Sequence, residues 1–212
     1  EGLNVLDCNN RIKTEQKKWI GKSKGAYIYF NVKDTEERLK VFTTRADTIY
    51  GATFMVIAPE HPLLEKYSEK ITNMDEVKNY QKEALKKSEF ERVELAKDKT
   101  GVRLAGLTAI NPLTNEEIPI FISDYVMITY GTGAIMAVPA HDTRDYDFAK
   151  KFDLEIKEVI AGGNIEVEAY TDIAGGKLIN SPIIEGLEVK KAIKTIIQYL
   201  QENNLGEAAK QF

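Results

Sequence analysis

Six consecutive residues, Thr43-Thr44-Arg45-Ala46-Asp47-Thr48, gather three hydroxyls, a guanidinium and a carboxylate. Such a group can hydrogen-bond a sugar hydroxyl, a phosphate and a water together. From composition alone it reads first as an ST- or Asx-type turn capping a helix that starts near Asp47. A second cluster follows downstream. Gly131-Thr132-Gly133 feeds the apolar run Ala134 to Ala140, and His141-Asp142-Thr143-Arg144-Asp145 opens a helix. The glycine turn can bring backbone N–H groups close to a ligand, or it is a hairpin bend. Asp142 suits the N-cap, and Asp145, in the first turn, is placed to receive a cation such as an ammonium group.

Other chemistries find no support in the residues. No G-x-S-x-G elbow is present, and the single cysteine, Cys8, sits in a polar stretch without a nearby histidine. No G-x-x-x-x-G-K-[ST] loop occurs, so ATP use is not expected. His61 and His141 are the only histidines, too few and too far apart for the usual zinc spacings. We therefore expect no metal and no cofactor.

The elements that must position these clusters are legible in outline. Ala26–Val32 and Leu39–Thr44 are rich in aromatic and β-branched residues and flank a polar turn, Lys33 to Glu37. Phe54–Ala58 is a short apolar run ended by Pro59. Residues 62–95 read as a helical insertion, with Asn73 and Glu76 in a capping-box pattern and Val77, Tyr80, Ala84 and Leu85 at helical spacing. Short strands resume at Val102–Leu104, Leu107–Ile110, Ile118–Ile122 and Ile135–Val138. Asp142 to Phe152 reads as a helix. Val189, Ala192, Ile193, Ile196, Ile197 and Leu200 mark a final helix packed on a core. Short strands at this spacing suit a barrel or a sandwich rather than a parallel sheet.

The 212 residues, 43% hydrophobic and 29% charged, suffice for one substantial soluble domain. Net charge is −4, unlike a protein that grips a long duplex through phosphates, yet compatible with a pocket for one nucleotide end. No run approaches the ~20 apolar residues of a membrane span. The opening lacks both a leader pattern and an initiator Met, as expected of a piece of a longer cytoplasmic protein. Residues 1–24 are polar and basic around Trp19. They read as a connector anchored through Trp19 and Ile20, its charges a solvated face or an RNA contact.

The two clusters carry a resemblance. The block Thr43 to Pro62 resembles the threonine-rich segment of bacterial-type leucyl-tRNA synthetase editing domains, and Gly131 to Ala149 resembles their second signature. Trp19-Ile20-Gly21, Ala109 to Thr114, Asp124-Tyr125-Val126 and Leu178 to Ser181 match in order, so the likeness spans nearly the whole chain. Isoleucyl and valyl relatives carry different first blocks, and Met136-Ala137-Val138-Pro139 with Arg144-Asp145 points to the leucyl branch. Ala46 stands where the family often has Pro, and the stretch Ile160 to Glu166 is short.

The resemblance implies a mainly β, α+β fold: a closed antiparallel β-barrel-like core with peripheral helices. It implies an editing domain over residues 25–204, with residues 1–24 and 205–212 as connectors to the rest of a synthetase. The implied partner is the 3′ CCA end of tRNA-Leu carrying a non-cognate isoleucine, valine, methionine or norvaline. The implied reaction is hydrolysis of that ester by a positioned water without metal; the alternative is a non-catalytic module that binds the same end. Asp145 is implied as the holder of the substrate α-ammonium. Thr43 and Thr44 are assigned to the terminal ribose and the attacking water, Arg45 and Asp47 to the shape of that loop. Thr48 is implied as the specificity residue, Tyr130, Met136 and Val138 as the amino-acid pocket, and Asp142 as a further substrate contact.

Overall fold

Alternating large apolar residues drive the first hairpin in the computed structural model, which describes residues 23–92, 98–172 and 175–211. β1 (Ser23–Val32) pairs antiparallel with β2 (Arg38–Thr43), Ala26 opposite Thr43 and Asn31 opposite Arg38. Ala26, Ile28, Phe30 and Val32 face the core, as the period of two in a strand requires. The expected anchor of the first connector, Trp19-Ile20, lies outside the described residues.

Five further strands complete one mixed sheet: β3 (Phe54–Ile57), β4 (Val102–Ile110), β5 (Glu117–Ile122), β6 (Ala134–Ala137) and β7 (Gly206–Gln211). Their order is β2-β1-β4-β5-β3-β6, with β7 paired to β1. β7 falls within the stretch expected as the return connector. The two expected strands at 102–110 are one strand, interrupted by a register shift between Arg103 and Thr108.

The expected closed antiparallel barrel needs correction on two counts. β3 pairs parallel with β5, Val56 beside Phe121. Nor is the sheet closed: β2 and β6 lie side by side, with Cα atoms within 8 Å, but among the described residues no hydrogen-bonded ladder joins them. The α+β class holds. The parallel pair has a physical cause in β3 itself, which is buried on both faces. Met55 and Ile57 enter the main core, while Phe54 and Val56 enter a second one. A continuous apolar run suits that position and carries no alternation that would have announced it.

Helices cover the two cores. The insertion carries α1 (Leu63–Lys66) and α2 (Met74–Leu85), which buries Val77 and Ala84. Asn73 precedes α2, but its side chain does not cap it. Its Nδ2 donates to Arg103 O and its Oδ1 accepts from Ala105 N–H, so it ties the helix start to β4 instead. α3 (Thr143–Lys151) lays Phe148 against Phe54 and Phe121, with ring centroids 5.4 and 5.2 Å away. α4 (Val189–Glu202) buries Ala192, Ile196 and Leu200, the inner stripe of its apolar face. None of the described helices is long and apolar enough to cross a membrane.

One buried polar side chain fastens the first chemical cluster to this frame. Asn111 is fully buried. Its Nδ2 donates to Ile49 O and Ala52 O, at 2.9 and 3.3 Å, and its Oδ1 accepts from Leu113 and Thr114 N–H, at 3.0 and 3.4 Å. It thus links the turn after β4 to the turn after β2. Asn111→Ala removes all four bonds, so we expect a loss on the order of 3 kcal/mol, read as a fall of roughly 8 °C in melting temperature by calorimetry. A change below roughly 2 °C would deny the link any weight.

Candidate functional site

The unsealed seam between β2 and β6 holds a cavity of about 210 Å³. Phe42, Thr43, Thr44, Arg45 and Thr48 line one side, and Tyr130, Ile135, Met136, Val138, His141, Asp142 and Asp145 line the other. The two sequence clusters, about a hundred residues apart, therefore share one small space. Of the residues given a catalytic or substrate-binding role from the resemblance, only Asp47 is not part of its wall.

The first side is built by hydrogen bonds local to the chain. Leaving β2, Thr43 Oγ1 accepts from Arg45 N–H at 2.9 Å, an ST-turn that bends the backbone into a 3-10 turn, Ala46–Gly51. Thr48 Oγ1 donates to Arg45 O at 2.9 Å. Asp47 lies behind the wall, fully buried, and its carboxylate accepts from Arg45 Nε and Nη2 at 2.9 and 2.8 Å. That fork-on-fork pair holds the guanidinium in one plane against the cavity. The capping turn and the polar cluster are thus one structure. Gly25 of β1 allows it to sit so close, for a Cβ there would lie 2.2 Å from Thr43 O.

The second side begins at Gly131-Thr132-Gly133. Both glycines have positive φ, 66° and 70°, and the Gly133 carbonyl accepts from Ala58 N–H, which seats β6 beside β3. The turn feeds Ile135 and Met136 into the cavity. Tyr130 is 70% exposed, so its ring stands at the mouth. After Val138 the chain turns into α3. Asp142 caps that helix, accepting from Arg144 and Asp145 N–H at 2.9 and 3.2 Å. His141 is a structural pin. Its Nε2 accepts from Val159 and Ile160 N–H, both at 3.1 Å, which leaves the proton on Nδ1 to donate to Tyr170 O at 2.9 Å. Burial pushes its pKa below the usual histidine value, so the ring stays neutral.

Asp145 is the group with unusual electrostatics. It is 4% exposed, and each carboxylate oxygen has one donor: Tyr125 Oη at 3.1 Å to Oδ1, and Val138 N–H at 2.9 Å to Oδ2. Burial, seconded by the nearby Asp142 charge, raises its pKa from 3.8 to about 7, against the pull of the Val138 N–H, Arg144 and Tyr125. An unliganded Asp145 is therefore poised between its neutral and charged forms at neutral pH. A cation entering the cavity would relieve that penalty, which is what a binding carboxylate requires.

Three participants could not be singled out beforehand. Tyr125 lies in a matched segment but had no assigned role, because its bond to Asp145 joins the turn after β5 to the first turn of α3. Ile135 and Phe42 looked like ordinary strand residues. Among the described residues no cluster of three or more His, Cys, Asp or Glu is arranged to hold a metal ion.

Fold and cavity together define an α+β domain with a carboxylate-bearing pocket at a sheet seam. The chain belongs to the leucyl-tRNA synthetase editing-domain family, whose model, "Leucyl-tRNA synthetase, editing domain", matches residues 17–201. It is 54% identical over 205 residues to a leucine--tRNA ligase of Alkaliphilus oremlandii, covering 97% of this chain and 25% of that protein. The chain thus spans about a quarter of the length of its curated relative. Among solved structures it resembles a leucyl-tRNA synthetase of Agrobacterium radiobacter K84, described as a ternary LeuRS-tRNA-LeuAMS complex. The TM-score is 0.74 at 32% identity, covering 99% of this chain and 23% of that one.

The raised pKa has a consequence for stability. A carboxyl whose pKa is higher folded than unfolded contributes stability that is fully present below about 3.8 and is lost as pH rises through about 7. The three-unit difference corresponds to about 4 kcal/mol withheld at alkaline pH. Asp145→Asn keeps an acceptor for Val138 and carries no charge. We expect it to melt above the parent at pH 8 and to lose that advantage towards pH 4. Equal melting temperatures at both pH values would refute the buried-charge assignment.

Proposed function

We propose that this domain performs post-transfer editing: hydrolysis of the ester between tRNA-Leu and a wrongly attached isoleucine, valine, methionine or norvaline. The observation that carries this reading is that Thr48 and Asp145 line the same small cavity. In the reaction, water oxygen bonds to the ester carbonyl carbon and the carbon–ribose oxygen bond breaks. The water proton passes to the ribose oxygen, and the products are a free amino acid and an uncharged 3′ terminus. An ester flanked by an α-ammonium and a vicinal hydroxyl is already activated, so orientation of a water supplies most of what is needed. We assign no metal or cofactor to the step.

Asp145 takes the α-ammonium by a charge-assisted bond, and binding shifts its titration towards the charged form. Thr43 and the more exposed Thr44 hold the terminal ribose and the water. Arg45, fixed by Asp47, faces the 3′ end. Met136 and Val138 contact the amino-acid side chain, Tyr130 guards the mouth, and Asp142 contributes through the helix start. Thr48 sets selectivity. Its hydroxyl is committed to Arg45 O, which leaves its methyl as the group offered to the cavity. That methyl excludes the γ-branch of leucine. A second site of this kind answers a limit of magnitude, because one methylene separates amino acids by only roughly 1–3 kcal/mol in a first selection. The substrate in this reading is a cytoplasmic tRNA delivered by the rest of the synthetase.

Two substitutions in the full-length enzyme test the reading. Thr48→Ala removes the blocking methyl, and we expect it to deacylate correctly charged Leu-tRNA-Leu; unchanged Leu-tRNA-Leu lifetime would refute the steric role. Asp145→Ala removes the ammonium anchor, and Ile-tRNA-Leu hydrolysis should fall by on the order of a hundredfold or more. Near-normal turnover would take Asp145 out of the site, and a parent enzyme that binds Ile-tRNA-Leu without hydrolysing it would favour a binding module instead.

A further inference from the structure

We infer that Tyr125 is a positioning residue for Asp145, and that the helical insertion serves the site by holding Tyr125 in place. The inference rests on the editing reading above, because it concerns how the ammonium-binding carboxylate is kept oriented. Tyr125 is 7% exposed, and its hydroxyl donates to Asp145 Oδ1 at 3.1 Å. Among the described residues no other side chain donates to that carboxylate. The second donor, Val138 N–H, is fixed by the backbone and engages the opposite oxygen. One donor on each oxygen sets the plane of the carboxylate and leaves each oxygen a further lone pair for a ligand N–H. Without the phenol the carboxylate would be free to swing about its single remaining bond.

The ring of Tyr125 is itself fixed. It packs on Phe148 of α3, centroid to centroid 5.9 Å, one turn along from Asp145. The backbone on either side is gripped from the insertion. Arg92, buried and paired with Glu60, donates from Nε to Asp124 O at 2.8 Å and from Nη2 to Val126 O at 3.2 Å. Tyr80 Oη accepts from Asp124 N–H at 3.0 Å, and Lys87 pairs with the Asp124 carboxylate at 2.7 Å. Three side chains of residues 80–92 thus converge on Asp124 and Val126, the two neighbours of Tyr125. Nothing in the amino-acid pocket itself requires so much hardware.

The charged and titratable groups around Asp145 give the inference a readout. Asp142 and Arg144 share its helix start and pair with each other at 3.4 Å, His141 lies across the turn as a neutral ring, and Lys99 sits 5.7 Å from the Tyr125 ring centre. Among the described residues Tyr125 is the only side chain that donates to the carboxylate, and it is neutral, so its removal changes the carboxylate without adding or removing a formal charge. A neutral donor favours the ionised carboxylate.

The experiment uses the full-length synthetase with Ile-tRNA-Leu and reads kcat/KM for deacylation across pH 5.5–8.5, after subtraction of spontaneous hydrolysis. Tyr125→Phe keeps the ring and removes the hydroxyl. We expect a loss of about tenfold at pH 7 and an acidic limb displaced to higher pH, with the loss shrinking towards pH 8.5. 3-Fluorotyrosine introduced at position 125 is a stronger donor of nearly the same size and should move the limb to lower pH. This second variant decides the matter if Tyr125→Phe fails to fold. Opposite displacements support the inference. A limb unmoved in the fluorinated protein, or a uniform loss at every pH in Tyr125→Phe, would overturn it while leaving the editing reading intact. Absence of Ile-tRNA-Leu deacylation by the parent enzyme would overturn the editing reading, and this inference with it.

Discussion

A carboxylate kept almost out of water is the constraint around which this domain is arranged. Burying Asp145 costs free energy whenever it is charged, and two donors offset only part of that cost. Under the proposed editing reading, the cavity beside it is where the substrate's ammonium offsets that penalty. Pre-organisation and instability are here the same fact: a carboxylate already stripped of water and aimed at a pocket binds a cation without further reorganisation.

The rest of the architecture sets that group across a small cavity from the turn after β2. β2 and β6 approach without pairing, so their facing side chains line a gap where a closed barrel would have a ladder. The 3-10 turn after β2 is fastened from behind by Asn111 and braced within by the Arg45–Asp47 fork. The opposing wall is fastened by the Asp142 cap and the His141 pin. The two walls are thus fastened by separate sets of bonds, and under the proposed editing reading a single methyl at Thr48 tunes the gap between them.

Much of this was legible beforehand, and the rest was not for physical reasons. The β1–β2 hairpin and α4 announced themselves through periods of two and about 3.6, and Asp142 through its place before a helical run. The membership of Thr43, Thr44, Arg45, Thr48, Met136, Val138 and Asp145 in one site came from resemblance, since composition alone favoured a capping turn for the first cluster. The parallel β3–β5 pair was hidden because Phe54 to Ile57 is apolar on both faces. Closure of the sheet was expected from the resemblance alone, and the strand pattern offered no check on it, because short strands and turns say nothing of whether the first and last edges pair. Asn73, Tyr125 and His141 owe their roles to partners 18 or more residues away, and no local pattern encodes such bonds.

The central claim concerns the state of one carboxyl group. Carbon-13 NMR of selectively labelled aspartate, assigned by comparison with Asp145→Asn, reports that state directly as pH is varied. The titration would be repeated with a non-hydrolysable isoleucyl-adenosine analogue. The account predicts a midpoint near 7 in the free protein, and a midpoint well below it once the analogue's ammonium occupies the cavity. A carboxyl that titrates in the ordinary aspartate range and ignores the analogue would contradict it.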